Sequence, residues 1–187
     1  GIRDVERSRG LGDVYKRQVV VNLSTSTMID WVADRFGVKI HRTPVGEYWV
    51  SRKMLECGAI IGGEGNGGVI IPDMHPVRDA ATAAAIILSM MSQRKKKISQ
   101  IAAEFPGKTM LKEKFPFDGE FAPLADKILS KFVPDDVDNI DGVWFRIEDG
   151  FVHVRPSNTE PVVRVIVETG NEKRAREIME MAKKAIL

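Results

Sequence analysis

Val19-Val20-Val21-Asn22-Leu23-Ser24-Thr25-Ser26-Thr27 is the stretch whose reading decides the fold. Val19, Val20, Val21 and Leu23 form a short run rich in β-branched residues, and the hydroxyl side chains behind them suit a helix N-terminus. A strand feeding a helix is predicted. Ile29, Val32, Ala33 and Phe36 then recur at helical spacing, with Gly37 as a stop. A short strand over residues 38–40 follows. The Thr43-Pro44-Val45-Gly46 turn leads into a helix that carries Val50, Met54 and Cys57 on one face and ends at Gly58. Strand and helix in alternation predict an α/β layer on a largely parallel sheet.

Beyond this core, Ala59-Ile60-Ile61 and Val69-Ile70-Ile71 flank a glycine-rich loop and predict a hairpin. Pro76 suits the first turn of a helix whose inner face would be Ala80, Ala84, Ile87 and Met91, and a short helix over residues 98–105 stops at Pro106. The second half changes character. An extended segment at 108–115 precedes a helix with Leu124, Ile128, Leu129 and Phe132 on one side, closed by Pro134. Val143, Phe145 and Ile147 alternate with Trp144, Arg146 and Glu148, and Asp149-Gly150 turns the chain into a partner strand from Phe151 to Arg155. A third strand at 162–168 and a helix with Ala175, Ile178, Met179, Ala182 and Ile186 inward complete the chain. The expected fold class is therefore α/β: a partial three-layer α/β domain over residues 19–106, then a small α+β domain with an antiparallel sheet over 107–187. Residues 1–18 set Arg3, Arg7, Arg9, Lys16 and Arg17 among acids and glycines without periodicity, as in a non-native or disordered leader.

Composition narrows the function. Hydrophobic residues are 43% of the 187 and charged ones 29%, enough apolar content for a core and too much for a disordered chain. A net charge of +2, with one short basic run at Arg94 to Lys97, argues against nucleic-acid binding. The apolar stretch at 80–91 is broken by Thr82 and Ser89 and is shorter than the roughly 20 residues a membrane span needs. The single cysteine, Cys57, excludes an intrachain disulfide framework and points to the cytoplasm.

Two loops carry candidate chemistry. In Gly62-Gly63-Glu64-Gly65-Asn66-Gly67-Gly68 the glycines permit tight turns and close approach, while Glu64 and Asn66 offer the acceptors and donors that sugar hydroxyls need. On pattern alone a plain glycine-rich hairpin and a functional loop are both open; a P-loop is not, because no lysine follows the glycines. In Arg155-Pro156-Ser157-Asn158-Thr159-Glu160-Pro161 two prolines hold a short loop. Its hydroxyl, amide and backbone N–H groups are the ingredients of an anion nest, to which Arg155 adds a fork matched to phosphate. Arg164 interrupts an apolar run. A solvated polar turn with an outward arginine is the competing reading. Asn139, Asp141, Gly142 and Glu148 mimic part of a calcium loop, but Val137 stands where its first carboxylate belongs, so no metal site is assigned. His41, His75 and His153 lack paired metal spacing, and Cys57 is expected to act as a small core hydrophobe.

Together the two loops resemble the sugar-recognition and phosphate-binding loops of the α-D-phosphohexomutase superfamily, which includes phosphoglucomutases, phosphomannomutases and phosphoglucosamine mutases. The resemblance runs from Val19 to Leu187 and takes in Ser24-Thr25-Ser26, Arg42 to Gly46, and Arg78-Asp79. It implies an isomerase, an intramolecular phosphotransferase of carbohydrate metabolism that interconverts hexose 1-phosphate and hexose 6-phosphate through a bisphosphate intermediate. Glu64, Gly65, Asn66 and Gly67 would meet the sugar. Arg155, Ser157, Asn158, Thr159 and Arg164 would hold the phosphate. The family's cofactors would be magnesium and a sugar bisphosphate activator; its phosphoserine and metal loops stand in earlier domains. This chain has no Ser-His-Asn-Pro and no Asp-Gly-Asp. By the resemblance it is the carboxyl-terminal half, lacks an upstream helix and strand of its first domain, has the missing N-terminal domains as its partner, and is inactive alone. The Gly-Asn-Gly-Gly ending resembles archaeal and some bacterial members, and Glu47 stands where some members have His, so no role is carried to it. The rival expectation is a non-catalytic sugar-phosphate or anion-binding module. A nucleotide-binding domain has only the glycine content behind it.

Overall fold

The computed structural model describes residues 18–157 and 159–187, and the chain divides between Glu104 and Phe105 into two compact units. The leader reading lies outside the described residues except at Gln18, which opens a strand.

In the first unit β1 (Gln18–Asn22) pairs in parallel with β2 (Lys39–Thr43) on one side and β3 (Ile61–Gly63) on the other, and β4 (Val69–Ile70) runs antiparallel to β3. The order is β2-β1-β3-β4. Helix α1 (Met28–Phe36) links β1 to β2, and α2 (Glu47–Cys57) links β2 across to β3. The first crossover runs from β1 to β2 and the second back from β2 past β1 to β3, so they travel in opposite directions along the sheet, and their usual right-handedness sends the two helices to opposite faces. Val20, Val50, Met54, Ala59 and Ile70 form the core under α2, with Cys57 packed at its margin as a small apolar group.

Three expectations are corrected here. The third strand begins at Ile61 and runs into the glycines, while Ile60 is exposed. A Cβ at Gly62 would collide with the Met54 side chain and the Val20 carbonyl, so close packing, not β propensity, selects that residue. Next, helix α3 (Ala80–Arg94) starts four residues after Pro76, because the Asp79 carboxylate accepts the Ala81 N–H (2.8 Å) and the Thr82 N–H (3.2 Å) as a side-chain cap. Its expected inner face is not one: no residue of α3 is buried, and Ile86, Ile87 and Leu88 are exposed. The short α4 (Ile98–Ala102) follows.

The second unit is a five-stranded antiparallel sheet in the order β5-β9-β8-β7-β6, built from β5 (Thr109–Pro116), β6 (Val137–Asp138), β7 (Val143–Ile147), β8 (Gly150–Pro156) and β9 (Val162–Thr169). Two amphipathic helices, α5 (Phe121–Phe132) and α6 (Glu172–Ile186), complete it. Val143, Phe145, Val152, Val154, Val163, Val165 and Val167 face Leu124, Ile128, Ala175, Ile178, Met179 and Ala182 in one core. The short β6 escaped the sequence pattern because two residues carry no periodicity. The other sheet face also departs from a simple polar exterior: Trp144, Phe151, His153, Ile166 and Glu168 are buried, and Trp144 stacks on Phe151 at 5.5 Å.

His153 hydrogen-bonds the Asp141 carbonyl through Nε2 at 2.7 Å, an arrangement that suits the neutral ring with its proton there. Burial pushes its pKa below the ordinary value, helped by the Arg155 charge and opposed by the Asp141 carbonyl and the Asp141 and Asp138 charges. Below about pH 6.5 the unfolded chain takes up a proton that the folded one refuses, so stability falls with pH until the depressed folded pKa is reached, at up to about 1.4 kcal/mol per pH unit. Urea titrations at stepped pH are expected to show this decline in the chain as it stands and a shallower one in His153→Gln.

Candidate functional site

The register of the parallel strands assembles the first candidate site. Val21 lies opposite Gly63, so Asn22 and Glu64 are the next residues along neighbouring strands at their carboxyl ends, where α/β sheets hold their ligands. Asn22 Nδ2 donates to Glu64 Oε1 at 3.0 Å. Its Oδ1 accepts from the Ser24 hydroxyl (2.8 Å), the Thr25 hydroxyl (3.1 Å), the Ser24 N–H (3.2 Å) and the Gly65 N–H (3.2 Å). One buried amide therefore binds the turn after β1 to the loop after β3.

Glu64 is held on its other oxygen too, by Arg78 Nη1 at 3.1 Å, and its side chain is only 5% exposed. Arg78 also donates from Nε to Glu47 Oε2 (2.6 Å) and from its backbone N–H to Glu47 Oε1 (3.1 Å). Those bonds push the Glu47 carboxyl below its usual range, the side-chain bond from Arg78 being the larger cause. Glu47, to which no role was given on sequence, is thus the second carboxylate of an Arg78 bridge. The loop closes through Glu64 N–H to the Gly68 carbonyl (2.9 Å) and Gly67 N–H to the Glu64 carbonyl (3.0 Å). Gly67 has φ +92°, and a Cβ at Gly65 would enter the Ser24 carbonyl, so both positions exclude larger residues. Asn66 is exposed, its Oδ1 accepting the Gly68 N–H at 3.1 Å. With Glu47, Gly67, Gly68, Arg78 and Asp79 it lines an open depression of about 590 Å³. Of the four expected sugar-facing residues, then, Asn66 and Gly67 line the depression, and Glu64 braces the loop from beneath.

The second candidate site lies at the β8–β9 end of the other unit. Arg155 and Arg164 are direct cross-strand partners and project from the same sheet face. Ser157 N–H to the Val162 carbonyl (2.9 Å), Val162 N–H to the Glu160 carbonyl (2.8 Å) and Phe117 N–H to the Pro161 carbonyl (3.0 Å) fix the loop between them. Ser157 and Thr159 bring their hydroxyls to 3.5 Å of one another, and Asn158 lies outside the described residues. Arg155 Nε pairs with Asp141 Oδ1 at 3.2 Å, both side chains mostly covered, so its guanidinium is oriented by the turn that mimicked a calcium loop. Arg164 Nη2 meets Glu160 Oε2 at 3.2 Å. Asn22, Asp141 and Glu160 were missed on sequence. Each left some signal there: Asn22 as the polar residue in an apolar run, Asp141 in the calcium-like turn and Glu160 inside the anion loop, but no signal said what each would pair with.

Residues 4–109 match the family model described as phosphoglucomutase/phosphomannomutase, alpha/beta/alpha domain III, and residues 120–185 match the one described as phosphoglucomutase/phosphomannomutase, C-terminal domain. The chain belongs to the phosphoglucomutase/phosphomannomutase family. Among relatives, a probable phosphoglucosamine mutase of Methanopyrus kandleri is 36% identical over 164 residues, 86% of this chain and 36% of that protein. A phosphoglucomutase/phosphomannomutase of Thermococcus kodakarensis is 36% identical over 170 residues, 90% of this chain and 37% of its own length. A phosphoglucomutase/phosphomannomutase family protein of Burkholderia thailandensis has the same fold with a TM-score of 0.75 at 24% identity, over 90% of this chain and 36% of that one. The chain spans little more than a third of the length of these family members, and the two matched domains occur in the order in which the two loops stand.

The Asn22 amide is the joint most exposed to test. Asn22→Ala removes the shared acceptor of the buried Ser24 donors and the half-buried Thr25 and Gly65 donors, and should lower the unfolding free energy of the first unit by about 1–3 kcal/mol in urea titrations. Asn22→Asp keeps the acceptor but sets a carboxylate against Glu64, so its loss should be larger at pH 7 and partly recovered near pH 4.

Proposed function

We propose that this chain is the sugar- and phosphate-binding part of an intramolecular phosphotransferase that interconverts hexose 1-phosphate and hexose 6-phosphate through a bisphosphate. The observation that carries the reading is the match of both domain descriptions in sequence order, each domain bearing one of the two loops. In this reading the Asn66 face of the glycine loop meets ring hydroxyls, with Glu64 and Asn22 fixing its shape. Arg155, Ser157, Asn158, Thr159 and Arg164 meet a phosphate that does not react. Arg155 supports this role because Asp141 takes its Nε and orients the planar fork from behind.

The reaction class asks for more than these residues supply. Phosphoryl transfer needs a group that accepts and returns the phosphoryl, and it depends on cationic stabilisation of the transferring oxygens. The relatives' phosphoglucosamine mutase and phosphoglucomutase names support an isomerase, and a sugar bisphosphate would be its activator. Magnesium would belong to the whole enzyme. Among the described residues no group of three or more His, Cys, Asp or Glu side chains is placed to hold a metal ion, so they do not fit as its ligand set. No described helix is long and apolar enough to cross a membrane. The single cysteine is what supports the cytoplasmic setting proposed here.

Two measurements test the proposal. The chain alone, given glucose 1-phosphate, magnesium and glucose 1,6-bisphosphate, is expected to form no glucose 6-phosphate in a coupled assay; turnover free of contaminating enzyme would contradict the division of labour. Binding is the second. Arg155→Ala should weaken hexose 6-phosphate binding, followed by calorimetry on the 187-residue chain, by about 10- to 150-fold, the worth of a charge-assisted contact. Arg146→Ala, whose guanidinium sits 5.5 Å from the Trp144 ring and outside the loop, should change it less than about twofold. Equal losses would favour the solvated-turn reading.

A further inference from the structure

The anion loop carries its own counter-ion. Lys114 is the cross-strand partner of Arg164, and Arg164 is the partner of Arg155, so three cationic side chains stand in a row on one face of β5, β9 and β8. Like charges on directly opposed strand positions repel one another, and the row needs an anion beside it. Asp141 serves Arg155. Glu160 serves both of the others, with Oε2 at 3.2 Å from Arg164 Nη2 and Oε1 at 3.3 Å from Lys114 Nζ.

The two pairings differ in kind. Arg155 and Asp141 are 14% and 17% exposed, a covered pair that fixes geometry. Lys114, Arg164 and Glu160 are 63%, 47% and 42% exposed, where an ion pair is weak and screened. The backbone around Glu160 is tied down by the Val162 N–H to Glu160 carbonyl and Phe117 N–H to Pro161 carbonyl bonds, so its side chain can turn away while the loop keeps its shape. Resting on the phosphate-loop reading above, we infer that Glu160 is a built-in competitor which holds Lys114 and Arg164 until a phosphate dianion displaces it, and that Lys114 is a further phosphate-binding cation of this loop. A dianion with three acceptor oxygens can satisfy both cations at once and outbid a single carboxylate.

The probe is inorganic phosphate, titrated into the 187-residue chain by calorimetry at low salt, with hexose 6-phosphate in a parallel series to separate recognition of the phosphate from recognition of the sugar. Glu160→Gln should tighten phosphate by about two- to fivefold, the range that one exposed ion pair spans, and Lys114→Gln should loosen it by a similar factor. Both changes should shrink as sodium chloride is raised, which a merely structural role for either residue would not produce. Equal shifts for phosphate and hexose 6-phosphate support recognition of the dianion itself; shifts confined to the sugar phosphate overturn it. If Arg155→Ala leaves phosphate affinity unchanged, the loop is not a phosphate site and the underlying reading fails. If Arg155→Ala abolishes binding while Glu160→Gln leaves it unchanged or weaker, that reading stands and the competitor role of Glu160 is wrong. Unchanged affinity in Lys114→Gln overturns the assignment of Lys114.

Discussion

A single carboxamide constrains the first unit. Asn22 sits where β1 ends, 1% exposed, and an amide oxygen with two lone pairs is shared there among four donors while the amide N–H reaches Glu64. The Ser24 donors and the Glu64 acceptor are buried and the Thr25 and Gly65 donors half-buried, so the turn after β1 and the loop after β3 stabilise each other's shapes. Arg78 extends the constraint from Glu64 to Glu47 at the start of α2. Residues from four separate stretches of chain are thereby held around the edge of one largely parallel sheet, and the exposed Asn66, whose Oδ1 takes the Gly68 N–H, is carried on that frame.

The second unit reaches a comparable precision by another route. Its arginines are set by strand register, and register is set by the valines that alternate with them: a slip of one residue would turn Val163, Val165 and Val167 out of the core along with moving Arg164. Core packing therefore fixes where the charge lies. Asp141 then orients the Arg155 guanidinium, and Glu160 engages one nitrogen of Arg164 and the Lys114 ammonium.

Much of this was legible in the amino-acid sequence, and the exceptions have physical causes. Alternation at Val143 to Arg155 and helical spacing at Ala175 to Ile186 are periodic signals that mark the elements; burial follows the period along α6, whereas in β7 and β8 it extends to both faces, as Trp144, Phe151 and His153 show. Strand β3 was displaced because Gly62 and Gly63 are poor strand formers chosen for what packs against them. The expected inner face of α3 failed because apolar content does not say whether anything lies opposite. Glu64 and Arg155 could be singled out as polar residues in unusual settings, but their partners could not. Asn22 lies 42 residues from Glu64 and Asp141 lies 14 from Arg155, separations at which only the folded topology decides who meets whom.

Helix α3 has a different significance. Asp79 caps its start and Lys95, in a left-handed conformation, ends it, so its local signals are intact. Yet none of its 15 residues is fully buried and only a few, such as Ala83, Met90 and Met91, are half-covered, so packing adds little to propensity, and helices of that length are marginal in water. The backbone amides of α3 should therefore exchange with solvent through local fraying at a far lower free-energy cost than those of β1 or β3, making this helix a separate, soft cooperative unit beside a rigid sheet.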